Sequence, residues 1–268
     1  MSPPAPIAIT DAGDVRLADY RALKERHLND EGGRFVAEGE RVVRRLLASP
    51  LRVLSVVVTE PRLRAMSDAL ADAAAHGATF PVYVVTPAVL DTIVGFHVHR
   101  GCLAVGKRPS TADLPAGARR LVVLEDLVDV DNLGAIARNA AAFGVDALVL
   151  SPRCADPFYR KAIRVALGGI FALPVVRLSR WPEGLDDLRA RGFALVAAVV
   201  APDATPLPRF RAPERWALLL GSEGPGLSPG AVARCDHRVT IPMSASPGAD
   251  SLNVATAGAV LLYGLTRA

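Results

Sequence analysis

The residues of this chain best suited to chemistry gather in two stretches. The later one holds three pieces in order: Gly221-Ser222-Glu223-Gly224-Pro225-Gly226, Val239-Thr240-Ile241-Pro242-Met243 and Ser251-Leu252-Asn253-Val254-Ala255. The earlier one runs Leu124-Glu125-Asp126 and then Asp131-Asn132-Leu133-Gly134-Ala135-Ile136-Ala137-Arg138. Carboxyl, amide, hydroxyl and guanidinium groups stand here at junctions between apolar runs and small residues. That is the pattern of a small-molecule site at the strand ends of an α/β domain. Gly221, Gly224 and Gly226 would let backbone approach a ligand without a Cβ in the way. Ser251 and Asn253 open a predicted helix, where unpaired N–H groups point outward, and Ser251 reads as its N-cap. No Gly-x-Gly-x-x-Gly follows the strand Leu121–Leu124, which runs instead into Glu125-Asp126-Leu127. That absence weighs against a nicotinamide-dependent oxidoreductase.

These four blocks, in this order, resemble the signature motifs of the SpoU/TrmH family of RNA ribose 2′-O-methyltransferases. The resemblance runs from about Leu121 to the end of the chain and more loosely back to about Asp19. It implies a SPOUT fold: a parallel sheet covered by helices, with a carboxy-terminal deep trefoil knot that binds S-adenosylmethionine (AdoMet). The local pattern alone would give an open Rossmann-like sheet, since knots are rare. The resemblance further implies that Gly221, Ile241, Met243 and Leu252 surround the cofactor. It implies that Arg138, six residues after Asn132, is the catalytic residue that receives the 2′-hydroxyl proton. A guanidinium with a pKa above about 12 is rarely neutral at pH 7, so clamping a phosphate and polarising the hydroxyl is the competing role. Asn132, Glu223, Ser251 and Asn253 are the polar partners at the matching positions. Glu223 would hold Arg138 or a backbone amide, and Asn132 has the simpler alternative of capping its helix.

The chain departs from the family pattern at three places. The stretch Ser244–Asp250, between Ile-Pro-Met and Ser-Leu-Asn, is longer than the resemblance leads one to expect, and its glycine, Gly248, stands late. Ala166 occupies a position where many relatives carry serine. Asp131 stands where proline is common, which gives a less rigid turn before Asn132.

Composition sets the outer bounds. The chain has 268 residues, 51% of them hydrophobic, and a mean hydropathy of +0.28, so it is globular and large enough for two domains. No uninterrupted apolar run reaches membrane-spanning length, and the start, Met1-Ser2-Pro3-Pro4-Ala5-Pro6, does not read as a signal peptide. Cys102, Cys154 and Cys235 are odd in number and far apart, against a disulfide framework or zinc site and in keeping with a reducing cytoplasm. His97 and His99 lack a third ligand nearby, so no metal is expected. The net charge is +4, which permits nucleic acid as a partner. Residues 1–110 hold 14 Lys and Arg against 12 Asp and Glu, and the remainder 17 against 15, so neither half is singled out as a basic arm.

Apolar spacing places the elements. Residues 1–15 read as a Pro-rich lead-in. A first domain, 16–106, alternates a helix over Val15–His27, a strand at Phe35–Ala37, a helix from Glu40 to Ala48 and a strand at Leu54–Val58. A helix from Arg62 to His76, a strand at Val82–Val85 and a short helix at Ala88–Ile93 follow. The resemblance makes this an RNA substrate-binding domain similar to small ribosomal proteins, with Arg100 a candidate phosphate contact. Residues 107–118 form the linker. The methyltransferase domain, 119–268, has strands at Leu121–Leu124, Ala147–Leu150, Val175–Leu178, Phe193–Val200, Trp216–Leu220 and Val239–Ile241. Its helices are Asn132–Phe143, capped by Asp131 or Asn132, then Phe158–Leu167, Leu185–Arg191 and Ser251–Leu265. Strands apolar throughout and separated by helices imply a parallel sheet covered on both faces.

The reading is an AdoMet-dependent RNA 2′-O-ribose methyltransferase acting on 23S ribosomal RNA, a homodimer by resemblance, in the bacterial cytoplasm and free of the membrane. Two alternatives stay open: a transfer-RNA enzyme of the same fold, and an RNA-binding ribosome-assembly protein that has lost methyl transfer.

Overall fold

The computed structural model describes residues 5–21, 33–94, 101–110, 112–244 and 251–267. They form two compact units. One comprises residues 1–110 with 158–172, the other 111–157 with 173–268.

The first unit alternates strand and helix. β1 is Ile7–Ala8, a 3₁₀ turn spans Val15–Tyr20, and β2 is Arg34–Glu38. α1 (Glu40–Leu47), β3 (Val53–Thr59), α2 (Glu60–Ala65), α3 (Ser67–Ala75), β4 (Val82–Val85), α4 (Pro87–Val94) and β5 (Cys102–Lys107) follow. Its five-stranded sheet has the order β1-β4-β3-β5-β2. β1, β4 and β3 run parallel, while β5 runs antiparallel to both β3 and β2. On one face Leu17, Tyr20, Val57, Leu90 and Leu103 share a core. Phe35 pairs in register with Gly106, and its ring fills the space a Cβ there would need, at 2.3 Å. The same ring lies 5.3 Å from Phe158 and 5.4 Å from Phe171, so the segment 158–172 adds its aromatics to this unit. That segment holds α6 (Arg160–Val165), on which Arg160 bonds Glu38 at 2.5 Å.

Two expectations change in this unit. The helix predicted over Arg62–His76 is two helices broken at Met66, which is fully buried and takes a non-helical backbone conformation (φ −108°, ψ 7°). The helix predicted from Val15 begins as a 3₁₀ turn ending at Tyr20; Leu23, Lys24 and His27 lie outside the described residues, as do His97, His99, Arg100 and Gly248.

The second unit holds β6 (Arg120–Leu124), α5 (Val130–Ala142), β7 (Ala147–Leu150), β8 (Val175–Arg177), α7 (Gly184–Ala190), β9 (Ala194–Ala198), β10 (Thr205–Pro206), β11 (Trp216–Leu220), α8 (Pro229–Val232), β12 (His237–Thr240) and α9 (Val254–Arg267). All seven strands run parallel in the order β10-β12-β9-β11-β6-β7-β8. The chain moves outward from β6 through β7 to β8, then returns to the other side of the sheet. β6 and its neighbour β11 therefore mark a reversal of strand order, the place where open α/β sheets leave a crevice at their strand ends. β11 and β6 are buried almost throughout, as a sheet covered on both faces requires. α5 and α9 pack side by side. Gly258 of α9 lets that helix lie close on β11, because a Cβ there would sit 3.1 Å from Leu220, whereas Ile136 of α5, at 3.9 Å, would be in ordinary contact. Asn139 adds a hydrogen bond to the Ala255 carbonyl at 3.0 Å. Among the described residues no helix is long and apolar enough to cross a membrane.

Candidate active site

The carboxyl ends of β9, β11 and β12 and the start of α9 enclose a cavity of about 680 Å³, within the range that holds a cofactor-sized ligand. Gly221, Ile241, Met243 and Leu252 all line it, together with Glu223, Ser251 and Asn253. Ile241 and Leu252 are not core residues: Ile241 is half-buried and Leu252 is 40% exposed.

Gly221 serves an end that its spacing did not suggest. A Cβ there would lie 2.1 Å from the Gly226 carbonyl carbon and 2.3 Å from its oxygen. The glycine accommodates the chain's own return, and it lines the cavity as well. Gly226 N–H donates to Ser222 O at 3.0 Å and closes a tight turn. Gly224 and Gly226, at φ +82° and +70°, take left-handed conformations that glycine adopts without strain.

The turn delivers Glu223 to a polar cluster. Asn132 Nδ2 donates to Glu223 Oε1 at 2.5 Å, and Asn253 Nδ2 donates to the same oxygen at 3.0 Å and to Asn132 Oδ1 at 2.9 Å. Three elements thus contribute one side chain each. Asp129 caps α5, accepting from the N–H groups of Asp131 and Asn132 at 2.8 Å each. This corrects the expected cap at Asp131 or Asn132, and it frees the Asn132 amide for the cluster. At α9 the cap is Asn253, whose Oδ1 accepts from Ala255 N at 2.9 Å and Thr256 N at 3.3 Å. The helix starts at Val254, so Ser251 stands too early to cap it. Asn253 does two jobs: its oxygen closes the helix and its nitrogen joins the cluster.

Glu223 bonds the two asparagines and not Arg138. Arg138 is exposed on α5 and makes no hydrogen bond or ion pair with a described residue. Ala166, where relatives carry serine, is fully buried at the carboxyl end of α6 in the other unit.

Two features of the cavity went unseen in the sequence. Arg238 of β12 lines it, its guanidinium held by Asp203 through bonds of 2.7 and 3.0 Å. Its Nε is buried with no hydrogen-bond partner. The loop Val199–Ala201 forms a further wall. Neither carries a motif; only a charged residue inside an otherwise strand-like run hinted at Arg238. On the approach to α5, Asp126 takes φ +50° and is held by Ser151 and Arg153. The Arg153 guanidinium keeps its carboxyl below the usual range.

The SpoU rRNA Methylase family model matches residues 119–263. The chain belongs to this family. An uncharacterized tRNA/rRNA methyltransferase of Mycobacterium bovis is 43% identical over 97% of this chain and 91% of its own length. The 23S rRNA (guanosine(2553)-2′-O)-methyltransferase RlmP of Bacillus subtilis is 29% identical over 96% of this chain and 98% of its own. Among solved structures, the AdoMet-bound rRNA methyltransferase of Sinorhizobium meliloti aligns with a TM-score of 0.80 at 25% identity, covering 98% of each chain. The SpoU methyltransferase AviRb of Streptomyces viridochromogenes, in complex with AdoMet, aligns at 0.78 and 25% identity, covering 95% of this chain and 98% of that one. The SpoU-family chain is thus an RNA methyltransferase with a SPOUT-type fold, a parallel sheet covered by helices.

Proposed function

We propose that this SpoU-family chain transfers a methyl group from AdoMet to a ribose 2′-hydroxyl of 23S ribosomal RNA. The observation that carries the reading is the Asn132–Glu223–Asn253 cluster beside the ligand-sized cavity. Likeness to the Bacillus subtilis 2′-O-methyltransferase along nearly the whole of both chains supports the acceptor atom and the RNA class. The reading takes residues 16–106 as an RNA-binding part and 119–268 as the catalytic part, with the segment 158–172 of the latter packed in the first unit.

The residues present fit AdoMet. Val199, Leu220, Ile241 and Leu261 offer apolar wall, Gly221 and Leu252 offer backbone, and the unpaired Nε of Arg238 is a donor in want of an acceptor. When bound, the cofactor supplies an electrophilic methyl group carried on sulfur. Ile241, Met243 and Leu252 hold it and keep water away. Asn132, Glu223 and Asn253 form a fixed polar rim that orients the incoming ribose, and Ser251 stands beside them. Arg138 meets the RNA from outside the rim. It holds the phosphate and polarises the 2′-hydroxyl, or takes its proton. A homodimer whose sites are completed across the interface, and a deep trefoil knot in the carboxy-terminal segments, belong to the same reading.

The test uses purified protein, methyl-labelled AdoMet, and separated ribosomal and transfer RNA from cells lacking the gene. Label in 23S RNA that survives alkali as a 2′-O-methyl dinucleotide is the expected result. Label confined to transfer RNA would keep the reaction and overturn the substrate. Absence of AdoMet binding would favour an RNA-binding protein without methyl transfer.

A further inference from the structure

Glu125 is 4% exposed and is the only Asp, Glu, Lys or Arg so deeply buried among the described residues. A buried carboxyl costs free energy unless each oxygen finds a donor. Both do. Oε1 accepts from Trp181 Nε1 at 2.5 Å, and Oε2 accepts from the backbone N–H of Ser228 at 2.8 Å. The residue's own N–H donates to Leu220 O at 2.9 Å. Glu125 therefore touches the chain immediately before Gly221 and immediately after Leu227.

Between those two points lies the turn that walls the cavity and carries Glu223. Inside the turn, one described backbone bond, Gly226 N to Ser222 O, ties it to itself. Glu223, Gly224, Pro225 and Gly226 are exposed, so packing does little to fix them. Beyond the turn, Ser228 caps α8, its Oγ accepting from Ala231 N at 3.2 Å. The buried carboxyl thus clamps the far root of an otherwise exposed loop, and the backbone N–H of the same residue holds the near one. A fully satisfied buried polar group rigidifies what it joins.

We propose that Glu125 is a positioning residue that sets the 221–227 turn for the cofactor, an inference that rests on the AdoMet reading above. It touches neither cofactor nor RNA. Its carboxyl acts through the Ser228 amide, which holds the end of the turn and with it Glu223; the bond from its backbone N–H to Leu220 O does not depend on the side chain.

Glu125→Gln keeps size and shape but leaves only one oxygen to accept, so one of the two donors is orphaned. In the ligand-free full chain, amide exchange at Gly226 and Ser228 should quicken by about tenfold or more, the scale of one lost buried hydrogen bond. Exchange at Val122 and Leu218, in the strands behind, should not change. The AdoMet dissociation constant by calorimetry and the KM for AdoMet should each rise about tenfold, while kcat falls less than about threefold and RNA affinity holds. A residue that merely kept the fold stable would not split KM from kcat in this way. Trp181→Phe removes the Oε1 donor and leaves the Ser228 bond, so it gives a smaller loss, about threefold, and serves if Glu125→Gln does not fold. Unchanged exchange in the turn overturns the inference, as does faster exchange with unchanged AdoMet affinity. No AdoMet binding by the unaltered protein overturns the reading above instead, and the clamp then stands or falls on the exchange data.

Discussion

Asn132 and Arg138 share one helix and are held in opposite ways. Asn132 sits in the first turn of α5 with its N–H fixed by Asp129 and its side chain bonded to Glu223 and Asn253. Arg138, six residues along, is exposed and bonded to no described residue. The rim is built in advance by folding, so its chemistry and its stability are coupled. Arg138 bonds none of the described residues, and the proposed reading gives it its work on the RNA. Preorganised groups stabilise charge without rearranging when the reaction occurs. A long cation left in solvent has the reach to meet a phosphate.

The sharpest break of this comparison is Arg138→Lys. Methyl transfer should fall below a tenth of the unaltered rate, with melting temperature and AdoMet affinity unchanged, because exposed substitutions away from contacts shift stability by less than about 0.5 kcal/mol. Activity above that tenth would end the claim that Arg138 is the working group. Gly221→Ala comes next. The new Cβ meets backbone at 2.1 Å, so the turn must shift, and calorimetry should show AdoMet affinity down by about tenfold or more. Normal affinity would mean the turn adapts freely. Asn253→Ala attacks the rim where stability and function meet. It should cost about 1 kcal/mol as a lost cap, read as a lower melting temperature, and reduce turnover as well. Asn253→Ser keeps a capping oxygen and loses the donor to Glu223 and Asn132, so it should separate the two effects: turnover falls and the melting temperature drops less. Ser251→Ala should destabilise less than Asn253→Ala; the reverse order in thermal denaturation would return the cap to Ser251.

The smallest effect lies at Asp126, on the lead into α5. Its folded pKa is depressed by Arg153, so its ion pair contributes stability above the ordinary carboxylate range and loses it as pH falls through that range. The melting temperature of Asp126→Asn should therefore vary less between about pH 5 and pH 2.5 than that of the unaltered protein. Parallel curves would show that the pair contributes nothing. A small effect is expected, since Arg153 is 81% exposed and water screens the pair.

The polar rim was legible as residue types at fixed intervals, but its contacts were not. Glu223 and Asn132 are 91 residues apart and Asn253 and Asn132 are 121 apart. The family resemblance offered Arg138 or a backbone amide as the partner of Glu223, and folding gave it to the asparagines instead. Ser251 and Asn253 are both good cap formers, so composition could not choose between them. The choice follows from where the chain enters α9. Glu125 was visible as a carboxyl at the end of an apolar strand, yet nothing local showed that Trp181 and Ser228 would meet it. The break at Met66 was equally hidden, because the apolar spacing continues across it.

The sequence by itself determined the kinds of element and most of their places. Buried strands and amphipathic helices are written in local periodicity, and glycine marks turns through backbone freedom that no other residue shares. It also supplied Asn132, Glu223 and Asn253 as candidates, which the structure brings together, and it missed Arg238. Only the tertiary structure decided that β11 inserts between β9 and β6, that Gly221 makes room for Gly226, and that one residue holds both ends of the intervening turn, Glu125 through its carboxyl at Ser228 and its backbone N–H at Leu220. Strand order and backbone-to-backbone approach are set by which distant segments satisfy one another's hydrogen bonds and fill one another's space. No window of neighbouring residues contains both partners.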